Sequence, residues 1–269
     1  SYSVTGVQTC ALPIYSFISH TDTEVLLAAY AQWGSECLPR LNGMWAFAIL
    51  DRQEATLFIA RDRFGVKPLY YWVSPEGIFA FASEIKQFEP LPGWRARLNP
   101  QRTYDFLVFG LIDHTHETMF AGLFQLKPGH SMSIDLQRIG ELPPNQAIET
   151  KPWYLLQATP FSGTFTDACD KFRQTFMDAV KLRLRADVPV GSCLSGGLDS
   201  SSIVCMMNEL LAQQDCHANQ KTFSACSDVE IYNERKWIDI VVDKTGVDAH
   251  YFYPRSEEHT SELQSPNTI

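Results

Sequence analysis

The chain has 269 residues, 45% hydrophobic and 20% charged, an ordinary globular composition with room for two domains. A net charge of −9 without a basic run argues against a general nucleic-acid binder. No apolar stretch is long enough to span a bilayer, and no secretory signal is visible, so no membrane partner is expected. Seven cysteines without a C-x-x-C pair favour reduced thiols in a cytoplasmic protein.

The two ends of the chain lack the periodicity of folded segments. Residues 1–14 and 255–269 both resemble translations of one sequencing-adapter oligonucleotide, read on opposite strands. We therefore expect both segments to be non-native and the chain to be a gene fragment open at both ends. The fold predictions rest on residues 15–254.

The first half of the chain predicts a helix followed by short strands. Apolar residues with helical spacing follow a capping-box pattern at Thr21 and Glu24, and Gly34 suits the helix end. A second, short helix is predicted to end at Gly43. Strands are predicted at residues 44–50, 56–60, 68–73, 77–82 and 129–136, with helices at 84–88, capped by Ser83, and at 99–110. Such closely spaced strands imply a mainly antiparallel sheet, and the residues after 110 predict an irregular stretch.

The second half changes its pattern after a polar, proline-containing stretch. We expect a first domain at residues 15–142, a linker at 143–161 and a second domain at 162–254. The second domain begins with a long helix. It then alternates strands with helices: a strand at 188–194, a helix at 200–213, a strand at 221–225, a helix at 233–245 and a strand at 249–253. This order implies a parallel sheet with helical crossovers.

The loop Ser195-Gly196-Gly197-Leu198-Asp199-Ser200-Ser201 is the most informative stretch of the chain. A glycine pair between a strand and a helix leaves backbone N–H groups free for an anion, and the helix dipole adds positive charge. The serine hydroxyls are further donors. Asp199 beside a phosphate suggests Mg²⁺ between them. The Gly-Lys-Ser/Thr ending of a Walker A loop is missing. A glycine-rich turn without a ligand remains the alternative.

This loop resembles the pyrophosphate-binding SGGxDSS loop of the ATP pyrophosphatases. Stretches of the first domain look like the glutaminase domain of glutamine-dependent asparagine synthetases, of the class II amidotransferase type. They are residues 19–27, 41–51, 60–71 and 82–86. The joint resemblance covers essentially all of residues 15–254.

The resemblance implies a fold and a reaction. The fold is part of an α+β antiparallel sandwich of the Ntn-hydrolase type, followed by part of an α/β parallel-sheet, Rossmann-like adenine nucleotide alpha hydrolase domain. The first domain would hydrolyse glutamine to glutamate and ammonia. The second would use ATP and Mg²⁺ to adenylate aspartate, and ammonia would then displace AMP to give asparagine. The resemblance leaves association into a homodimer open.

The resemblance also assigns roles to individual residues. Asp22 matches the aspartate that holds the glutamine α-amino group, although a first-turn carboxylate also stabilises a helix on its own. The residues that match the ATP and pyrophosphate site, with Asp199 on Mg²⁺, are Cys193, Leu194, Ser195, Gly196, Gly197, Asp199, Ser200 and Ser201. Ala225 is assigned to adenine, with core packing as the alternative.

Two further groups are interpreted as structural. The charged residues Arg61, Asp62, Arg63 and Lys67 are expected in a turn that faces the other domain or solvent, rather than in a phosphate clamp. An aromatic group is expected in the core. Its members are Trp45, Phe47, Phe58, Tyr70, Tyr71 and Trp72.

No residue of the chain matches the N-terminal cysteine nucleophile of this family. Cys10 lies in the adapter-like segment and Cys37 within a predicted helix. The second acidic loop of the synthetase site has no match either, so we expect the chain itself to be inactive. The alternatives are a related ligase that forms a β-lactam or cyclises a peptide, and a non-catalytic, decayed relative. The intact loop at 195–201 argues against the latter.

Overall fold

The structure is a computed structural model that describes residues 17–19, 21–185, 190–213 and 220–254. The adapter-like ends and the first two residues of the predicted strand 188–194 lie outside these ranges. The chain divides into two compact units, Ser1–Ala158 and Thr159–Ile269. Within the described ranges, no helix combines the length and the hydrophobicity needed to cross a bilayer.

The first unit is built from antiparallel strands with helices beside them. Its elements are α1 (Asp22–Trp33), β1 (Ala46–Asp51), β2 (Thr56–Arg61), β3 (Tyr70–Val73), β4 (Phe79–Ala82), α2 (Pro100–Phe109), β5 (Leu123–Gln125), β6 (His130–Asp135) and β7 (Lys151–Pro152). Short 3₁₀ helices lie at Gly34–Arg40, Ile85–Phe88 and Leu136–Glu141. The strands form two sheets, ordered β1-β2-β6-β7 and β4-β3-β5, and all pairs are antiparallel. The predicted antiparallel arrangement is confirmed.

The core of this unit lies between the two sheets. Ile59 on β2 and Met132 on β6 face one another in register, and they pack with Tyr71 of β3 and Phe124 of β5. A second cluster joins α1 and the first 3₁₀ helix to the outer face of β1 and β2. All six aromatic residues predicted in the core belong to these clusters or to the one around Trp72, which confirms their structural role.

Three local predictions for this unit are wrong. The Thr21 side chain does not cap α1, and its Oγ1 lies 2.9 Å from Ser19 Oγ. The Glu24 carboxylate accepts from the N–H groups of Ile18 and Ser19, at 2.9 and 2.7 Å. The helix predicted at 84–88 begins at Ile85, so that Glu84 rather than Ser83 lies at its N-cap. The stretch expected to be irregular contains β5, which pairs with β3. Three residues are too few to show the alternation that marks a strand.

The second unit alternates strands and helices as predicted. Its elements are α3 (Phe165–Arg183), β8 (Gly191–Cys193), α4 (Leu198–Ala212), β9 (Lys221–Ala225), α5 (Arg235–Thr245) and β10 (Asp248–Phe252). The three strands form a parallel sheet ordered β8-β9-β10. A buried cluster that includes Leu194, Val204 and Ile238 joins the sheet to α4 and α5.

Candidate functional site

The glycine loop lies at the carboxyl edge of the parallel sheet. β8 ends at Cys193, Leu194 anchors the chain by donating its N–H to the Phe223 carbonyl at 2.9 Å, and α4 begins at Leu198. Because the strands are parallel, the ends of β9 and β10 lie on this same edge. This is the position at which open α/β sheets bind ligands.

Gly196 is required by the geometry of the loop. Its φ is +78°, and a Cβ at this position would lie 2.8 Å from Cβ of Trp237 and 3.1 Å from the backbone nitrogen of Ile238. The first turn of α5 therefore packs directly against the loop. A glycine is the residue that allows both this backbone conformation and this approach.

The N–H groups of the loop are only partly used. Those of Gly196, Leu198 and Asp199 make no hydrogen bond to any described residue, whereas the Ser201 N–H donates to the Gly197 carbonyl at 3.0 Å. The unused groups lie at the start of α4, a helix of 15 residues. The loop therefore presents free donors at the positive end of a helix dipole.

The serine hydroxyls surround these donors. The Ser195 and Ser200 Oγ atoms are 3.0 Å apart and share a hydrogen bond, and Ser200 Oγ also accepts from the Ser195 N–H at 3.2 Å. Ser201 Oγ is buried and has no hydrogen-bond partner among the described residues. An orphaned buried hydroxyl is costly, so this atom is a further candidate donor for a ligand.

The structure brings most of the predicted site residues together. Residues 193–201 run without interruption from the end of β8, through the loop, into the first turn of α4. The Leu194 side chain is buried in the core, while Cys193 is exposed. Ala225 is the last residue of the neighbouring strand β9, on the same edge of the sheet, and it is exposed. The assignment of Cys193 and Leu194 to the adenosine, and of Ala225 to its adenine, rests on their position at this shared edge.

A polar network beside the loop could not be found from sequence. Arg235, in the first turn of α5, donates from Nη1 to Tyr253 Oη at 2.6 Å and lies 4.5 Å above the Tyr251 ring. Tyr251 Oη donates to Asp239 Oδ1 at 2.7 Å, and this bond raises the pKa of Tyr251 to about 12. We call Arg235, Asp239, Tyr251 and Tyr253 the α5 network. It ties the helix that contacts Gly196 to the end of β10.

Asp199 has the freedom that a metal ligand needs. Its carboxylate is exposed and makes no hydrogen bond or ion pair with described residues. Within the described residues, no three His, Cys, Asp or Glu side chains gather into a metal centre. One carboxylate together with phosphate oxygens and water is, however, the usual Mg²⁺ ligand set, so the residues fit that ion.

Asp22 lies in the first unit, at the mouth of a separate cavity. The cavity has a volume of about 220 Å³, and its lining includes Asp22, Leu41, Asn42, Gly43 and Trp45. The Asp22 carboxylate is exposed at the first residue of α1 and makes no bond to described residues. It is therefore available to a ligand cation such as an α-amino group.

The charged turn after β2 supports the walls of this cavity. Asp62 Oδ2 accepts from the N–H groups of Trp45 and Lys67 at 3.2 and 3.0 Å, and Oδ1 accepts from two more amides of the turn. Arg63 donates to the carbonyl of Leu41. The structural interpretation is confirmed, but the expectation that the turn faces solvent or the other domain is wrong for Arg61 and Asp62, which are 7% and 2% exposed. Both side chains are buried because they bond to main-chain groups of the turn and of neighbouring segments. The sequence pattern gives no sign of these bonds.

Comparison with known proteins gives the family of both units. A model of the glutamine amidotransferase domain matches residues 11–143, and a model of the asparagine synthase family matches residues 171–267. The chain belongs to the glutamine-hydrolysing asparagine synthetase family, a family of ligases.

Several curated proteins are similar over most of this chain. Asparagine synthetase [glutamine-hydrolyzing] 3 of Bacillus subtilis is 32% identical over 249 residues, which cover 88% of this chain and 38% of that protein. Asparagine synthetase [glutamine-hydrolyzing] 1 of the same organism is 31% identical over 220 residues, covering 82% and 32%. Amidase chry2 of Gibberella zeae is 32% identical over 206 residues, covering 74% and 28%. The chain thus spans less than half the length of the curated relatives it matches.

Proposed function

We propose that the chain is part of an enzyme that hydrolyses glutamine and uses ATP and Mg²⁺ to convert aspartate into asparagine. One observation carries the synthetase half of this proposal. Unused N–H groups, including those of Gly196, Leu198 and Asp199, lie on the loop and at the start of α4, with the free carboxylate of Asp199 beside them. The proposed fold of the two parts is an Ntn-hydrolase-like sandwich and a Rossmann-like domain at residues 15–142 and 162–254, with the linker at 143–161 and non-native ends.

The loop residues suit the removal of pyrophosphate. A carboxylate is a poor electrophile, and its conversion into β-aspartyl-AMP provides a good leaving group. Departure of pyrophosphate builds negative charge, which the N–H groups of Gly196, Leu198 and Asp199 can stabilise. Mg²⁺, held by Asp199, would neutralise phosphate charge there. In this proposal the ends of β8 and β9, at Cys193, Leu194 and Ala225, receive the adenosine.

The cavity beside Asp22 suits the amino-acid end of glutamine. The carboxylate of Asp22 would bind the α-amino group, and the Asp62 turn fixes the opposite wall through Trp45. Cys37, the described cysteine of this unit, is fully buried, and burial raises its pKa to about 11. A thiol in that state is a poor nucleophile. We therefore expect the chain itself not to hydrolyse glutamine, which a glutaminase assay on the purified chain tests.

Titration calorimetry with ATP tests the nucleotide site. We expect binding that requires Mg²⁺, and we expect Asp199→Asn to weaken Mg-ATP binding by about tenfold or more, because a charge-assisted ligand is lost. Asp243→Asn is the matched control, since Asp243 is exposed in the last turns of α5, away from the loop. Equal affinity of wild type and Asp199→Asn for Mg-ATP would contradict the proposed metal role.

The acceptor carboxylate separates this proposal from a second function. The alternative is a related ligase that forms an amide on another carboxylate, and it stays open because one similar protein, chry2, is named an amidase and not an asparagine synthetase. The test is pyrophosphate release by the full-length enzyme with aspartate or with other carboxylic acids. Release that depends on aspartate supports asparagine synthesis, and release only with another acid supports the alternative. We further propose a cytoplasmic enzyme that acts as a homodimer.

A further inference from the structure

One wall of the cavity beside Asp22 has no secondary structure of its own. It consists of residues 41–45, which connect the first 3₁₀ helix to β1. The backbone groups of Asn42, Gly43 and Met44 make no hydrogen bond to described residues, and all three residues are exposed. The shape of this wall therefore depends on the groups that hold its two ends.

Arg63 holds the first end of the wall. Its Nη1 donates to the carbonyl of Leu41, and its Nη2 donates to the carbonyl of Pro39 at 2.7 Å. Both carbonyls lie at the end of the first 3₁₀ helix, where the main chain enters the wall. A guanidinium presents its N–H groups in one rigid plane, so a single side chain can fix two carbonyls at a defined separation. These bonds are charge-assisted and therefore stronger than bonds between neutral groups.

Trp153 fixes the second end of the wall, together with Asp62. The indole rings of Trp153 and Trp45 are stacked, with their centroids 5.4 Å apart and their planes 18° from parallel. Trp153 has bonds of its own, because Nε1 donates to the Arg61 carbonyl at 3.2 Å and its N–H donates to the Gly129 carbonyl at 2.9 Å. Trp45 thus packs against a ring that other segments of the unit hold in position.

The two ends of the wall are connected through Trp153. The guanidinium carbon of Arg63 lies 5.2 Å from the centroid of the Trp153 ring and 5.4 Å from that of Tyr154. An arginine packed on aromatic rings is restricted in its rotamers, so the stacking and the two carbonyl bonds support each other. We call Arg63, Trp45 and Trp153 the Arg63 clamp.

We propose that the Arg63 clamp positions the cavity wall and thereby sets the affinity for glutamine. This inference rests on the proposed binding of the glutamine α-amino group at Asp22. It adds Arg63 and Trp153 as positioning residues, neither of which lines the cavity. A wall that is already ordered costs less conformational entropy when the substrate binds. Loss of the clamp would leave Asp22 in place and make the wall mobile, so that binding has to order it.

Steady-state glutamine hydrolysis by the full-length enzyme tests this role. We expect Arg63→Gln to raise the KM for glutamine about fivefold to tenfold and to change kcat less than about twofold, because substrate and transition state are bound less tightly to the same extent. Arg63→Lys should give an intermediate KM, since an ammonium group cannot hold two carbonyls in one plane. Arg52→Gln is the matched control, because Arg52 is exposed in the turn between β1 and β2.

A double-mutant cycle tests whether Arg63 and Trp153 act together. Trp153→Leu removes the ring that packs on Trp45, and we expect the KM to rise by a similar factor. Because both residues act on the same wall, the double variant should raise KM clearly less than the product of the two single effects. Single effects that multiply would contradict the clamp. Trp153→Phe retains an aromatic ring, so its KM should stay closer to that of the wild type.

Two results would overturn the clamp alone. The first is an unchanged KM in Arg63→Gln beside a raised KM in Asp22→Asn. The second is a fall in kcat together with slower pyrophosphate release when ammonia replaces glutamine, since the clamp should not affect a reaction that needs no glutamine. The conservative variants Arg63→Lys and Trp153→Phe keep both comparisons available where a larger change prevents folding. A full-length wild-type enzyme without glutaminase activity contradicts the proposed function itself, and with it the substrate of this cavity.

Discussion

Gly196 is the residue of the loop with the least freedom to change. Its Cα faces the first turn of α5, and its backbone has a positive φ. Gly197, the next residue, has a φ of −70°, and a Cβ there would be 3.4 Å from Ser195 Oγ, which is ordinary contact. A methyl group added at Gly196 should therefore destabilise the chain more than one added at Gly197.

We expect Gly196→Ala to destabilise the chain by about 2 kcal/mol or more, because the backbone strain and the overlap with Trp237 add together. Gly197→Ala should cost clearly less. Urea unfolding measures both changes, and calorimetry with Mg-ATP should rank the two variants in the same order. An equal loss of stability in both variants would contradict the close contact between the loop and α5.

The sequence predicts which residues form the loop, but not how they pair. The order strand, glycine pair, helix is local, and it correctly predicts that free N–H groups lie at the start of α4. The bond between the Ser195 and Ser200 hydroxyls and the buried, orphaned Ser201 Oγ depend on side-chain rotamers. The burial of Asp62 depends on four amides, one of them 17 residues away, and no local pattern encodes it.

At the scale of elements, α5 supports the nucleotide loop. Its first turn contacts Gly196, and the α5 network fixes that turn to the end of β10. Removal of one bond in the network should let the turn move. The loop would then lose part of its preorganisation for an anion.

Tyr253→Phe tests this support because it removes only the hydroxyl that accepts from Arg235. We expect the affinity for Mg-pyrophosphate to fall about threefold to tenfold, as for the loss of one hydrogen bond, while adenosine binding is unchanged. Tyr232→Phe is the matched control, since Tyr232 is 72% exposed and outside the network. An equal decline in pyrophosphate and adenosine affinity would indicate general destabilisation instead.

The helices and strands themselves are largely predictable from sequence. Long periodic segments such as α3, α4 and α5 give clear signals, and the predicted strand at 221–225 has the same bounds as β9. Element ends are less clear: α5 begins at Arg235 instead of residue 233. The orientation of α2 could not be predicted, because a chain with Tyr104, Leu107 and Val108 on one face suggests burial of that face. The ion pairs of Asp105 reverse it.

At the scale of the whole molecule, the raised pKa values make the chain sensitive to alkali. The hydrogen bond to Asp239 raises the pKa of Tyr251 from 10.0 to about 12, so in this window the unfolded chain releases the proton first. The unfolded state then holds fewer protons than the folded state. The stability that this raised pKa of Tyr251 contributes is therefore complete below pH 10 and is lost as the pH rises to about 12.

Urea midpoints measured across this range test the effect. We expect Tyr251→Phe to be less stable than wild type below pH 10, because the bond to Asp239 is lost, and to show a smaller decline toward pH 12. Burial raises the pKa of Cys37 from 9.0 to about 11 in the same direction, so part of the decline should remain. If the urea midpoint of Tyr251→Phe falls as steeply toward pH 12 as that of the wild type, Tyr251 is not the source of the decline.

The bond between the Ser195 and Ser200 hydroxyls has a consequence for ligand discrimination. The two hydroxyl oxygens are already hydrogen-bonded to each other, 3.0 Å apart. An anion that binds a serine hydroxyl here therefore replaces this hydrogen bond with one to itself. The exchange is favourable only for a species with several acceptor oxygens arranged to reach both hydroxyls and the amides at once. A spherical halide has no such directions, so chloride should compete poorly with tetrahedral oxyanions even at high ionic strength.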